Sequence, residues 1–85
     1  MTKIWAKTMV NHRVKTSIIH DCGEIVTVDN FYRAVRKICE SLKIPTPVVL
    51  HSYAKNFTEF NIVKFRPRDF LEEVNFDFLV LESGE

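Results

Sequence analysis

The chain has 85 residues, with 12 Lys and Arg against 11 Asp and Glu for a net charge of +1, and 46% of its residues are apolar. That length makes one domain, able to bury about 60–65% of the surface its unfolded form exposes, and the near-zero net charge argues against a general polyanion binder. The longest purely apolar run, Phe78-Leu79-Val80-Leu81, is far short of the roughly 20 residues of a membrane helix, and the N-terminus lacks the apolar core of a signal peptide, so the expected compartment is the cytoplasm.

Residues 1–20 read as a β-hairpin. Lys3-Ile4-Trp5-Ala6-Lys7-Thr8-Met9-Val10 and Val14-Lys15-Thr16-Ser17-Ile18-Ile19-His20 both alternate with period 2, the pattern of half-buried strands. Two turns are open. A three-residue loop at Asn11-His12-Arg13 sets Val10 opposite Val14, Thr8 opposite Thr16 and Ala6 opposite Ile18, leaving Lys3, Trp5, Lys7, Met9, Lys15 and Ile19 on the other side. A two-residue turn at Asn11-His12 instead sets Val10 opposite Arg13 and moves Trp5 to the side of Val14 and Ile18. One residue of slip exchanges the partners across a sheet, and Asn tolerates the positive φ that either turn needs.

Asp21-Cys22-Gly23-Glu24 is a turn, and Ile25 and Val26 lead into a helix capped by Thr27 or Asp29 and running to about Lys43. Phe31, Ala34, Val35, Ile38 and Leu42 fall on one stripe, with Arg33, Arg36, Lys37, Glu40 and Ser41 facing away. Ile44-Pro45-Thr46-Pro47 stops it, because the residue before a proline leaves the α region and Pro45 has no N–H to donate. Thr46-Pro47 then opens a second helix to about Phe60, with Val49, Leu50, Tyr53, Ala54, Phe57 and Phe60 on one side. The rival is a strand at Val48-Val49-Leu50 followed by a shorter helix.

Asn61-Ile62-Val63-Lys64-Phe65 reads as a third strand, Pro67–Glu73 as a helical turn or short helix, and Phe76–Glu82 as the last strand and a candidate sheet edge. The fold class is therefore α+β, a small antiparallel or mixed sheet of the N-terminal hairpin and two C-terminal strands packed with two helices, in the order ββααβ(α)β. Six of the seven phenylalanines follow residue 56 and supply much of the core volume.

Three of these segments taken together, the Ile4-Trp5-Ala6-Lys7 opening, Ile44-Pro45-Thr46-Pro47 after an amphipathic helix, and Asp69–Asp77 near the end, resemble a group of small bacterial proteins of no assigned function. The resemblance spans nearly the whole chain and implies no activity, cofactor or partner.

The charges are unevenly placed. Residues 1–20 carry Lys3, Lys7, Arg13 and Lys15 with no acid, residues 45–68 carry four bases against Glu59 alone, and residues 69–85 carry only acids. Cross-strand pairing between a basic strand and the last strand accounts for this structurally. Functionally, Lys3, Trp5, Lys7 and Lys15 could form a face that stacks a base on the indole while ammonium groups hold phosphates, as in single-stranded nucleic-acid binders. The competing reading buries Trp5 under a helix and leaves the lysines as solvated surface.

His20, Cys22, Cys39 and His51 have metal-ligand chemistry but match no zinc-module spacing, and Cys39 borders the apolar stripe of the first helix as a small core residue would. Both cysteines read as thiols in a reducing compartment. The only glycines are Gly23 and Gly84, so there is no phosphate loop, and no nucleophile elbow or HExxH is present. The expectation is a non-enzymatic module without cofactor or metal, engaging a protein partner or a second copy of itself; nucleic acid is the alternative partner.

Overall fold

A computed structural model of the chain describes residues 2–25 and 27–83. Val26, and Gly84 and Glu85 of the acidic end, lie outside the described residues. The elements are β1 (Thr2–Val10), β2 (Arg13–Cys22), α1 (Val28–Leu42), α2 (His51–Phe60), β3 (Ile62–Phe65), a 3-10 turn at Pro67–Asp69 and β4 (Phe78–Ser83). The four strands form one antiparallel sheet in the order β2-β1-β4-β3. The fold is α+β as the pattern requires. No helix among the described residues is long and apolar enough to cross a membrane.

The hairpin combines the two turns that the sequence allows. Asn11 and His12 take positive φ, 51° and 65°, the pair of angles of a two-residue turn whose twist matches that of the strands, and Val10 pairs with Arg13. A bulge then intervenes. Met9 pairs with Val14 but Thr8 with Thr16, so Lys15 is the extra residue, and from there the pairs are Ala6–Ile18 and Trp5–Ile19, those of the three-residue reading. The bulge thus returns Ile4, Ala6 and Thr8 to the core face, where all three are at most 2% exposed.

Helix α1 begins as its capping signal dictates: the Thr27 hydroxyl accepts from the Asn30 N–H at 3.1 Å. It ends before the prolines act. Lys43 takes a left-handed conformation, its N–H donating to Glu40 O and the Ile44 N–H to Cys39 O, a closed Schellman-type end. The break at Ile44–Pro47 is present, but both expectations for residues 47–50 need correction. The segment is neither the first turns of α2 nor a strand: the Val48 N–H donates to Asp69 O at 2.8 Å and Pro47 is buried, so tertiary contact holds it irregular until α2 starts at His51. Leu50 and Phe60, expected on the buried side of that helix, are 53% and 66% exposed, because α2 is too short to carry either end over the sheet.

Asp69 is the clamp of this half. Its carboxylate accepts from the Tyr53 hydroxyl at 2.6 Å and from the Arg66 N–H at 2.8 Å, joining α2 to the 3-10 turn that Pro67 starts. That turn covers only part of the helical segment expected over Pro67–Glu73. Phe70 and Phe76 meet edge-on at 5.4 Å and are buried in the loop before β4, which starts at Phe78 rather than Phe76.

Both helices pack on one face of the sheet, α1 chiefly over β2 and α2 over β3. Phe31 of α1 lies 5.2 Å from Phe57 of α2, and with Ala34, Val35, Ile38, Cys39 and Ala54 it covers Ile4, Ala6, Val63, Phe65, Leu79 and Leu81. The last strand is not an edge. β4 lies between β1 and β3, its Leu79 and Leu81 fully buried, because only a central position satisfies a strand this apolar; β2 and β3 are the edges.

Candidate functional site

Among the described residues no element covers the opposite face of the sheet. The register sets Ile19, Trp5, Glu82 and Ile62 in one row across the four strands and Ser17, Lys7, Val80 and Lys64 in the next, with Val14, Met9 and Phe78 following toward the hairpin tip. Trp5 is 46% exposed, Ile19 70% and Val14 52%. A row of large apolar side chains on the solvent side of a sheet is unlike the alternation of apolar-in and polar-out that an antiparallel sheet shows when only one face has work to do.

At the centre of this face lies Val80, only 4% exposed though it belongs to none of the packing under the helices. Lys7 and Lys64 are its register partners on either side, long side chains whose alkyl stems can shield apolar surface. Their ammonium groups lean over aromatic rings, Lys7 Nζ at 4.6 Å from the Trp5 centroid and Lys64 Nζ at 5.9 Å from that of Phe78. Lys7 also pairs with Glu82 Oε1 at 3.0 Å, diagonally across β1 and β4. A shallow depression of about 300 Å³ runs along this face beside Val80 and Phe78, closed at the hairpin end by His12 and Asp77. Asp77 fixes that end: its carboxylate accepts from the Asn11 N–H at 2.8 Å and its own N–H donates to Met9 O at 2.7 Å.

Of the four residues singled out from sequence, the structure brings Trp5 and Lys7 into contact and leaves Lys3 exposed on the same face, opposite Asp21. Lys15 is exposed at the bulge, four residues and so roughly 13 Å along β2 from the residue that pairs with Trp5. It is not part of the Trp5 cluster. The residues that sequence reasoning missed are Ile62, Lys64, Phe78, Val80 and Glu82, supplied by β3 and β4. Their alternation was legible, but not that β4 lies beside β1 with β3 beyond it. The Lys7–Glu82 pair is a cross-strand contact of the kind that the basic first strand and acidic last strand foreshadow.

The metal-ligand types are scattered. Among the described residues no three or more His, Cys, Asp or Glu side chains are close enough to share an ion. Cys39 sits inside the core, where burial pushes its thiol up to about 12, and His51 is exposed at the start of α2. Both cysteines are thiols. No buried side-chain nitrogen or oxygen among the described residues lacks a hydrogen-bond partner, so nothing aimed into a cavity demands a polar ligand.

No family model, curated protein or solved structure matches this chain. The functional reading therefore stands on the uncovered sheet face alone.

Proposed function

We propose that the chain is a small cytoplasmic, non-enzymatic protein-interaction module that docks a protein partner on the uncovered face of its sheet. The observation that carries this is the exposed row of Ile19, Trp5 and Ile62 beside a buried Val80. Such a face combines an amphipathic aromatic anchor with apolar neighbours and a rim of charge, the composition at which partner surfaces concentrate binding energy.

The alternative, single-stranded nucleic acid on the same face, has less behind it. A base needs a ring face, and Lys7 Nζ covers one side of Trp5; a phosphate needs a free ammonium, and that same group is held by Glu82. Lys64 and Lys3 remain, set against Glu82, Asp21 and Asp77 around the face.

Affinity capture with the wild-type chain and with Trp5→Ala and Ile19→Asp variants tests the proposal. A protein retained by the wild type and lost by both variants, with unchanged circular dichroism, is the expected result. Identical capture by all three would refute the docking face. Salt-sensitive retention on single-stranded oligonucleotides that Trp5→Ala weakens would shift the reading to nucleic acid.

A further inference from the structure

The hydrogen-bond phase of the sheet identifies which groups β2 leaves open. The Ser83 N–H donates to Asn61 O at 2.9 Å, so alternate residues of β4 from Ser83 inward, Leu81 and Leu79, bond β3. Glu82, Val80 and Phe78 then bond β1 through Trp5, Lys7 and Met9. Ile4, Ala6 and Thr8 are left to bond His20, Ile18 and Thr16 of β2. By the same alternation Ser17, Ile19 and Asp21 turn their N–H and C=O groups outward along an edge that has no neighbouring strand among the described residues.

The two edges are protected very differently. β3 has four residues and Pro67 stands two residues beyond its end, a short edge of little use as a template. β2 has ten residues, no proline, and beyond the bulge at Lys15 an uninterrupted run to Cys22. Where its far end meets α1 a hollow of about 590 Å³ lies between His20 and Asp21 and the Arg33 and Lys37 side of the helix.

We infer that β2 pairs antiparallel with β2 of a second copy of this chain, about a two-fold axis at Ile18, making one continuous eight-stranded sheet. The alternation allows the axis only at a residue, not between two, because outward-turned groups must meet outward-turned groups. Charge selects among the residues. With the axis at Ile18, Ser17 pairs with the partner's Ile19, and Lys15 lies opposite the partner's Asp21 at both ends of the interface. With the axis at Ile19, Asp21 faces Ser17 and Lys15 faces Gly23; with it at Ser17, Lys15 faces Ile19 and the partner strand must pass the bulge to bring Asp21 to Arg13.

Lys15 and Asp21 are both exposed, and neither has an ion-pair partner among the described residues; Lys3, opposite Asp21 in register, makes no ion pair with it, so Lys15 and Asp21 are both available for this contact. The interface is isologous, as a two-fold requires. It also extends the row of Ile19 and Trp5 into the second copy, doubling the apolar face on which the proposed function rests.

Sedimentation equilibrium of the full chain, with K15D, D21K and the K15D/D21K double variant, tests the register. Each single reversal sets two like charges opposite one another twice per dimer, and is expected to weaken self-association by about tenfold. The double variant restores opposite signs and is expected to recover the wild-type dissociation constant. A wild type that stays monomeric at millimolar concentration overturns the inference. So does a dimer indifferent to the single reversals, or single variants that the double does not rescue. A monomer that still captures a protein through Trp5 would remove the edge pairing and leave the docking face standing.

Discussion

The two faces of the sheet are built by the same strands from alternate residues, and both are apolar at the centre. On the inner face Ile4, Ala6, Leu79 and Leu81 are fully buried under Phe31, Val35 and Phe57. On the outer face Trp5, Ile19 and Ile62 lie in the row next to that of Val80 with no helix of the described residues above them, and Lys7 and Lys64 flank Val80 across the strands. The difference shows that apolar alternation fixes where side chains point and not what covers them. Covering requires an element of matching size, and the two α-helices of the described residues both pack on one side.

The largest expected effect lies on the inner face. Replacing Phe31, fully buried against Phe57 at 5.2 Å, by Ala should cost about 3–5 kcal/mol in urea unfolding, the usual range for deleting a buried ring. Cys39, buried in the same layer, should react with thiol reagents only as fast as the protein unfolds.

Trp5→Ala should cost less, about 1–2 kcal/mol, since roughly half of the ring is already in water. A loss equal to that of Phe31→Ala would break the distinction between the faces. Because Trp5 is the only tryptophan, its emission reports the outer face alone. It should be readily quenched by acrylamide in the free chain, stay so when β2 edges pair, and become protected when a protein partner covers the face.

Tyr53→Phe should cost about 1 kcal/mol through loss of the hydrogen bond to Asp69. That bond, with lesser contributions from burial and from the Asp69 charge, raises the Tyr53 pKa above its ordinary value of 10.0. The folded chain thus keeps the phenol proton at a pH where the unfolded chain has lost it. The stabilisation is complete below pH 10 and is lost as the pH rises through the folded value. In Tyr53→Phe this part of the alkaline destabilisation should vanish, which a comparison of urea midpoints at pH 8 and 11 would detect.

The smallest effect sharpens the comparison most. Lys7→Met removes the 3.0 Å pair with Glu82 but keeps an apolar stem opposite Val80, and should change stability by less than about 1 kcal/mol. A larger loss would mean that the charge and not the stem holds the outer face together.

Much of this fold was written in the chain locally. Thr27 marks the start of α1, the spacing of Phe31, Ala34, Val35 and Ile38 sets its buried stripe, and the period-2 arms around Asn11-His12 define the hairpin. Such signals act within one turn of helix or one residue of strand, so sequence by itself determined the order of the main elements and the α+β class, while the start of α2 and of β4 and the extent of the turn at Pro67 were left to tertiary contacts. Only the tertiary structure decided that β4 lies between β1 and β3, that Lys15 bulges so the core face keeps Ile4 and Ala6, and that residues 44–50 stay irregular against Asp69. It also decided that Trp5 shares its face with Val80 and Glu82 while Lys15 stands apart at the edge. The physical reason is that order and register are fixed by contacts between residues far apart in the chain, whose energies depend on burial that no single segment carries alone.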